Sequence, residues 1–297
     1  MDQFEALRSY LFSIAYRMVA SASIAEDLVQ DTYIRYLQAK PEHIQSLKAY
    51  LTTIIVRLSL NYLQSAQHER EQYYGIWLPE PMMSATQDIA DRVEADETLS
   101  LAFLNLLEKL SPPERAVFVL HEILDFPFAD IADIVEKKAS TCRQLFHRAK
   151  EHLSEKKRRF TTDSEQANQL LVHQFVNAIR SGNLETLTSI LAKDAVSWAD
   201  GGGKVQAARY PLTGNARIAK MYITIFQKYL TPTMSVRTGV INHMPALLIF
   251  EHDVLLGVWI LGLNAQTVEE IFVVVNPDKL AYLSKQLSQG AELGELI

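Results

Sequence analysis

The stretch "LSPPERAVFVLHEILDFPFADIADIVEKKASTCRQLFHRAKEHL", Leu110–Leu153, decides how this chain is read. Ser111, Pro112 and Glu114 spell a helix start. The serine is an N-cap, the proline fills the first helical position where an N–H is dispensable, and the glutamate can reach back to the cap. The helix runs through "RAVFVLHEIL", and "DFPF" breaks it at Pro127. A short helix, "ADIADIV", is followed by the turn "EKKA" and a second helix, "STCRQLFHRAKEHL", for which Ser140 is the expected cap. Helix, short turn, helix is the pattern that lays its second helix in the DNA major groove. On that helix Ser140, Thr141, Arg143, Gln144, His147, Arg148 and Lys150 offer donors for base edges and phosphates, while Leu145, Phe146 and Ala149 supply the inward side. Lys137, Lys138 and the run Lys156–Arg159 add positive charge. A basic, solvated helix pair in an unrelated bundle is the competing reading. His121 and His147 read as surface or core residues rather than metal ligands, and Cys142 as a small inward hydrophobe.

Working toward the N-terminus, residues 4 to 70 are expected to be all-helical. Phe4, Leu7, Leu11, Ile14 and Met18 recur at helical spacing. "SIAE" places Ser23 as a cap and Glu26 three residues on, opening the helix "AEDLVQDTYIRYLQA". After Pro41, the helix "LKAYLTTIIVRLSLNYLQSAQHERE", Leu47–Glu71, turns Leu51, Ile54, Ile55, Leu58 and Tyr62 inward and carries Arg57, Asn61, Gln64, His68 and Arg70 on its polar side. Between the helical stretches lies a linker, 71–97, with the block "YYGIWLPEPM" and then the acids Asp88, Asp91, Glu94, Asp96 and Glu97, which repel one another and favour an extended path.

Beyond the basic run the texture changes. "SEQANQLLVHQFVNAIRSG" is an amphipathic helix closed by Gly182, and a second helix starts at Asn183. "AVSWADGGGKVQAARY" reads as a hairpin around three glycines, and a helix follows Gly214. Four strand-like runs then form an antiparallel meander before the terminal helix "NPDKLAYLSKQL". The expected fold class is therefore multidomain: two all-α modules followed by an α+β domain.

The totals bound the function. The 297 residues suffice for two or three domains, and a net charge of −6 excludes a chain basic all over while leaving room for local basic patches. The single cysteine excludes an internal disulfide or multi-cysteine metal site and fits a reducing compartment. The first residues lack a long apolar core, so no signal peptide is expected, and no stretch reaches the length of a membrane span. No cofactor and no metal are expected.

Three stretches together resemble bacterial sigma factors of the extracytoplasmic-function class: "AEDLVQDTYIRYLQA", "AYLTTIIVRLSLNYLQSAQHERE" and the opening stretch. The resemblance implies that Asp27, Leu28, Gln30, Asp31 and Ile34 bind the clamp helices of core RNA polymerase. It further implies that Arg57, Asn61, Gln64, His68 and Arg70 engage the minus-ten element and that the Ser140–Lys150 set reads the minus-thirty-five element. A contact to the flap of the second large subunit is implied as well. "YYGIWLPEPM", "WADGGGKVQAARYPLTG" and "NPDKL" resemble the signature blocks of the sigma-J-type subgroup, which carries a fused SnoaL-like (NTF2-like) cone. That resemblance implies domains at 1–70, 98–160 and 164–290 around the 71–97 linker, promoter DNA and polymerase as partners, a cytoplasmic location, and no membrane or separate anti-sigma factor. Two departures stand out: Asn61 where many relatives carry Asp, and a turn "EKKA" without the glycine often found there.

Pro79 and Pro81 push their neighbours toward extended geometry, so Trp77 and Leu78 can dock in a groove at little entropic cost. The expected berth is the cone, beside Asp200, Gly201, Gly202, Gly203, Lys204 and Asn276, Pro277, Asp278, Lys279, Leu280, with Glu80 pairing Lys204 or Lys279. Capping of the N-terminal helical module by the indole is the alternative. "DGGGK" lacks the strand–loop–helix frame of a phosphate loop. A cone that binds or converts a small molecule is the rival function, with Asp200, Tyr210, His252 and Asp253 as candidate proton-transfer groups; the last two are expected at a turn between strands.

Overall fold

The computed structural model describes residues 3–38, 44, 46–84, 99–154, 165–229, 231–264, 266–290 and 293–294, without the side chains of 67–71, 154 and 165–167. The acidic half of the linker and the Lys156–Arg159 run lie outside the described residues. The chain forms two units, Met1–Gln72 with Glu97–Lys157, and Tyr73–Asp96 with Arg158–Ile297.

The first unit is helical. Its first module contains a 3₁₀ turn, Glu5–Leu7, then α1 (Arg8–Val19), α2 (Ala22–Gln38) and α3 (Leu47–Glu71). Leu11, Ile14, Tyr16 and Met18 of α1 and Leu51 and Ile55 of α3 are fully buried where α1 packs on α2 and α3. The start of α2 differs from expectation by two residues. Ser21 is the cap, its Oγ accepting the Ile24 amide at 3.3 Å, and Ser23 lies inside the helix. Both serines fit the cap pattern locally, and the αL turn at Ala20 (φ 53°) that ends α1 settles which one stands at the boundary.

The second module holds α4 (Leu101–Leu107), α5 (Pro112–Phe118), a π turn (Val119–Ile123), α6 (Phe128–Val135) and α7 (Ala139–Ser154). The cap of α5 forms as the sequence predicts, with Glu114 Oε2 accepting the Ser111 amide at 3.0 Å and the Ser111 hydroxyl at 2.7 Å. Ser140, expected to cap α7, is inside it, because the helix starts at Ala139, two residues before the start that cap would give. α6 ends on Glu136 at φ 55°, the left-handed position that glycine fills at little cost and glutamate fills at about 1 kcal/mol or more. Cys142 is buried and free, and burial pushes its thiol upward from the ordinary value.

In the second unit, α8 (Glu165–Ser181) ends at Gly182 with φ 66°, and α9 (Leu184–Ile190) is capped by Asn183, whose Oδ1 accepts the Thr186 amide at 3.0 Å. β1 (Leu191–Asp200), β2 (Leu212–Thr213), α10 (Asn215–Tyr229), β3 (Met234–Ile241), β4 (Met244–Glu251), β5 (Val254–Asn264), β6 (Thr267–Val274) and α11 (Pro277–Ser288) complete it. The six strands lie in the order β2-β1-β6-β5-β4-β3. β3 to β6 form the expected antiparallel meander. The "DGGGK" region does return antiparallel onto β1, but only through the two-residue β2. The main neighbour of β1 is β6, and the pairing is parallel. α8, α9 and α10 close one face of the sheet around Phe175, Leu187, Ile218 and Tyr222. This is the α+β cone that the sequence implies.

Candidate functional site

Three groups of candidate residues can be placed on these elements. On α2, Asp27, Gln30, Asp31 and Ile34 are exposed, whereas Leu28 is buried and supports that face from beneath. Tyr33 and Leu37 are exposed beside Ile34 and extend the face with apolar surface; their i, i+3 and i+4 spacing was the available signal. On α7, Ser140, Arg143, Gln144, His147, Arg148 and Lys150 are exposed, and Thr141 is partly so. Phe146 stacks toward Phe118 and meets His121 edge-on, which anchors the helix. His121 Nδ1 lies 2.9 Å from the Phe126 carbonyl, so this histidine belongs to the module's structure.

On α3, Asn61 and Gln64 are exposed; the side chains of His68 and Arg70 lie outside the described ones. Arg57, read from the sequence as a nucleic-acid contact, has other partners in this structure. It donates from Nε to the Ile134 carbonyl at 3.0 Å and from Nη2 to the Asp133 carbonyl at 2.8 Å. Glu136 lies 3.2 Å from the same guanidinium.

The "YYGIWLPEPM" block runs as an extended strap, and every contact described for it lies within its own unit. Asp200, fully buried at the end of β1, is the hub. Its Oδ1 accepts the Tyr73 hydroxyl at 2.6 Å and the Gly202 amide at 3.0 Å. Its Oδ2 accepts the Leu78 amide at 2.8 Å and the Lys279 ammonium at 2.7 Å. Lys279 also donates to the Leu78 carbonyl and sits 3.8 Å above the Trp77 ring. A buried carboxylate holding four donors, one of them cationic, is well compensated. Asn276 caps α11 with Oδ1 and donates from Nδ2 to the Tyr73 hydroxyl at 2.8 Å. Burial, and then the bond to the Asp200 carboxylate, push the Tyr73 phenol well above its ordinary value of 10.0. Gly202 holds φ 59° against Asn276, where a Cβ would meet the Asn276 amide at 2.2 Å. Pro277 occupies the first turn of α11, and Leu280 is buried below it.

Further along, Leu78, Pro79, Glu80 and Pro81 are all buried. Met83 then pairs antiparallel with Ile241 at the β3 edge. Met82 and Asn242 exchange bonds at 3.1 and 3.0 Å, the Ser84 amide reaches the Val240 carbonyl at 3.3 Å, and Gln286 Oε1 accepts the Met83 amide at 2.8 Å. Backbone groups that an edge strand would leave exposed are thereby covered. Lys204, a proposed partner of Glu80, instead holds both carboxylate oxygens of Asp278 at 2.6 and 2.7 Å. Tyr73, Asn242 and Gln286 were missed in the sequence, where nothing marks a tyrosine, a turn asparagine and a helix glutamine as meeting one strap.

Val176, Ile179, Phe226, Val236, Leu247, Ile249 and Trp259 line an apolar cavity of about 20 Å³, room for about one water. Tyr222 is buried, its hydroxyl 2.6 Å from the Ser197 hydroxyl. Of the candidate proton-transfer groups, Asp200 is taken up by the strap, Tyr210 is exposed, and His252 and Asp253 sit exposed at the β4–β5 turn. They share no site. A larger open cleft of about 380 Å³ lies between Tyr74–Ile76 and the loop from Gly201 to Arg209. Its cations are engaged, Lys204 by Asp278 and Arg209 over the Tyr74 ring at 4.5 Å. Among the described residues no three metal-ligating side chains converge, and no helix is long and apolar enough to cross a membrane.

Comparison with known proteins fixes the family. The Sigma-70 region 2 model matches residues 3–69, and the Sigma-70, region 4 model matches residues 100–153. The chain is 34% identical over 232 residues to the ECF RNA polymerase sigma factor SigJ of Mycobacterium tuberculosis (strain ATCC 25618 / H37Rv), covering 77% of this chain and 74% of that protein. This chain belongs to the extracytoplasmic-function RNA polymerase sigma factors. The probable ECF RNA polymerase sigma factor SigI of Mycobacterium tuberculosis (strain CDC 1551 / Oshkosh) is 33% identical over 288 residues, 96% of each chain. The crystal structure of Mycobacterium tuberculosis SigJ superposes with a TM-score of 0.76 at 28% identity, covering 94% of this chain and 98% of that one. The sigma-factor expectation therefore holds along the chain. The protein is a sigma factor, a transcription initiation protein rather than an enzyme, that works with core RNA polymerase and promoter DNA.

Proposed function

We propose that this sigma factor divides the work by element and that its own cone governs how the helical modules are presented. The α2 face around Asp27, Gln30, Asp31 and Ile34 binds the clamp helices of the largest polymerase subunit, with Leu28 shaping it from below, and the second module contacts the flap. Arg57, Asn61, Gln64, His68 and Arg70 engage the minus-ten element. Ser140, Thr141, Arg143, Gln144, His147, Arg148 and Lys150 read the minus-thirty-five element. Modules at 1–70 and 98–160, a linker at 71–97 and a cone at 164–290 are the working parts, in the cytoplasm and without a separate anti-sigma factor.

The observation that carries this reading is the strap. Residues 73–84 bind the cone through buried bonds, so the linker between the two DNA-reading modules is not a free tether. A chain segment fixed along part of its length has a shorter reach, and reach sets which promoter spacings can be engaged at once. The apolar packing of the cone favours this mechanical role over a ligand-converting one.

Run-off transcription with core polymerase tests the assignment. Full-length protein is expected to direct initiation from specific start sites. Arg143→Ala should cost about 1–3 kcal/mol in promoter binding and relax selectivity at one upstream position. Uniform loss across all promoters would remove Arg143 from base readout. Absence of any directed start would remove the whole assignment.

A further inference from the structure

Within the first unit, two arginines make reciprocal contacts. Arg57, on α3 of the first module, caps the C-terminal end of α6 in the second module through the Ile134 and Asp133 carbonyls at 3.0 and 2.8 Å. Arg115, on α5 of the second module, caps the C-terminal end of α1 in the first module, donating to the Met18 carbonyl at 2.7 Å and pairing with Glu108. Both capped helices end on a non-glycine residue at positive φ, Ala20 at 53° and Glu136 at 55°. Helix C-termini present unpaired carbonyls and a partial negative charge, and a guanidinium answers both. We infer that this pair is a lock, and that Arg57 is the shared element: engaged on α6 it is withheld from nucleic acid, and engaged by nucleic acid it releases the second module.

The two halves of the lock differ in character. Arg115 is almost wholly buried, with only 3% of its side chain exposed, so in this lock it is the half that opens second, after Arg57 has let go. Arg57 is 44% exposed and faces the 73%-exposed Glu136, so water and competing anions reach it. Glu136 stands where the turn "EKKA" departs from the glycine pattern. The residue that makes the turn unfavourable is the one that supplies the lock with its carboxylate. The inference rests on the assignment of Arg57 to the minus-ten set, but the lock itself can be measured without DNA.

The test is electron–electron distance measurement on the full chain, with nitroxides at Arg35→Cys and Asp130→Cys in a Cys142→Ser background. The parent should show one dominant short separation. Glu136→Gly removes the ion pair and relieves the positive-φ residue, so it should raise the longer-distance fraction about one-and-a-half- to five-fold without lowering the melting temperature. Arg57→Ala, which also removes two hydrogen bonds, should raise that fraction further. Distance distributions unchanged in both variants would overturn the lock. In run-off transcription Glu136→Gly should increase yield while Arg57→Ala decreases it; a fall in both would overturn the shared role of Arg57. Distances that respond while no variant directs any start would uphold the lock and overturn the initiation reading instead.

Discussion

At the scale of the residue, the Asp200–Lys279 pair sets the energetic stakes of the second unit. Its side chains are 0% and 9% exposed, so removing one partner leaves a buried charge uncompensated. Lys279→Met should therefore destabilise the full chain by about 3 kcal/mol or more, read from the denaturant midpoint of the second unit. Adding Asp200→Asn should recover part of that loss. Tyr73 brings a pH dependence to the same cluster. Its phenol is held above 10.0 in the folded chain by burial and the neighbouring carboxylate, so the folded state keeps a proton that the unfolded state loses. The stability this contributes is complete below pH 10 and is lost as the pH climbs beyond it. The alkaline limb should steepen by up to about 1.4 kcal/mol per pH unit for each such tyrosine. Tyr222, raised by its own burial, adds to the limb. Alkaline melts of Tyr73→Phe should fall less steeply than the parent. The sequence pointed to Asp200 and Lys279 through the blocks that contain them; that they pair with each other is a tertiary fact with no local trace.

At the scale of the element, the strap is an extended segment with no helix or sheet of its own to hold it. Its order comes from what it touches: Trp77 over Lys279 and a short pairing at the β3 edge. Trp77→Ala should cost about 1–3 kcal/mol in local opening, combining the cation–π contact with lost apolar cover. Amide exchange at Leu78 and Ser84 should then quicken by roughly 5- to 150-fold, with α8 and α10 unchanged. The prolines made the extended form legible. Helices were legible wherever local chemistry decides, as at Ser111–Glu114, Gly182 and Asn183. Capping failed by two residues at both Ser23 and Ser140: at the first the nearby Ser21 satisfies the same rule, and at the second the helix begins directly after Lys138, which no side-chain capping rule marks. The parallel β1–β6 pairing was not legible, since it joins segments about seventy-five residues apart whose alternation looks the same in either direction. Arg57 illustrates a different limit. Its polar position on α3 was clear, but a guanidinium on a helix surface does not disclose whether it serves DNA or another helix.

For the whole molecule, charge separates the general from the local. A net −6 disfavours contact with DNA overall, so the proposed reading rests binding on local cations such as those exposed on α7. Arg148→Ala should weaken promoter binding alike for all sequences and reduce the salt slope by about one if that side chain meets only phosphate. A titration of complex formation against salt reads this directly.

The strap also carries a consequence in time. It is encoded between the two helical modules, yet Lys279 comes 195 residues after Ser84. At a synthesis rate of about 5–20 residues per second, a nascent chain spends roughly 10 to 40 seconds with Trp77 already made and its seat still untranslated. A newborn sigma factor is thus, for an interval, a different machine from the finished one.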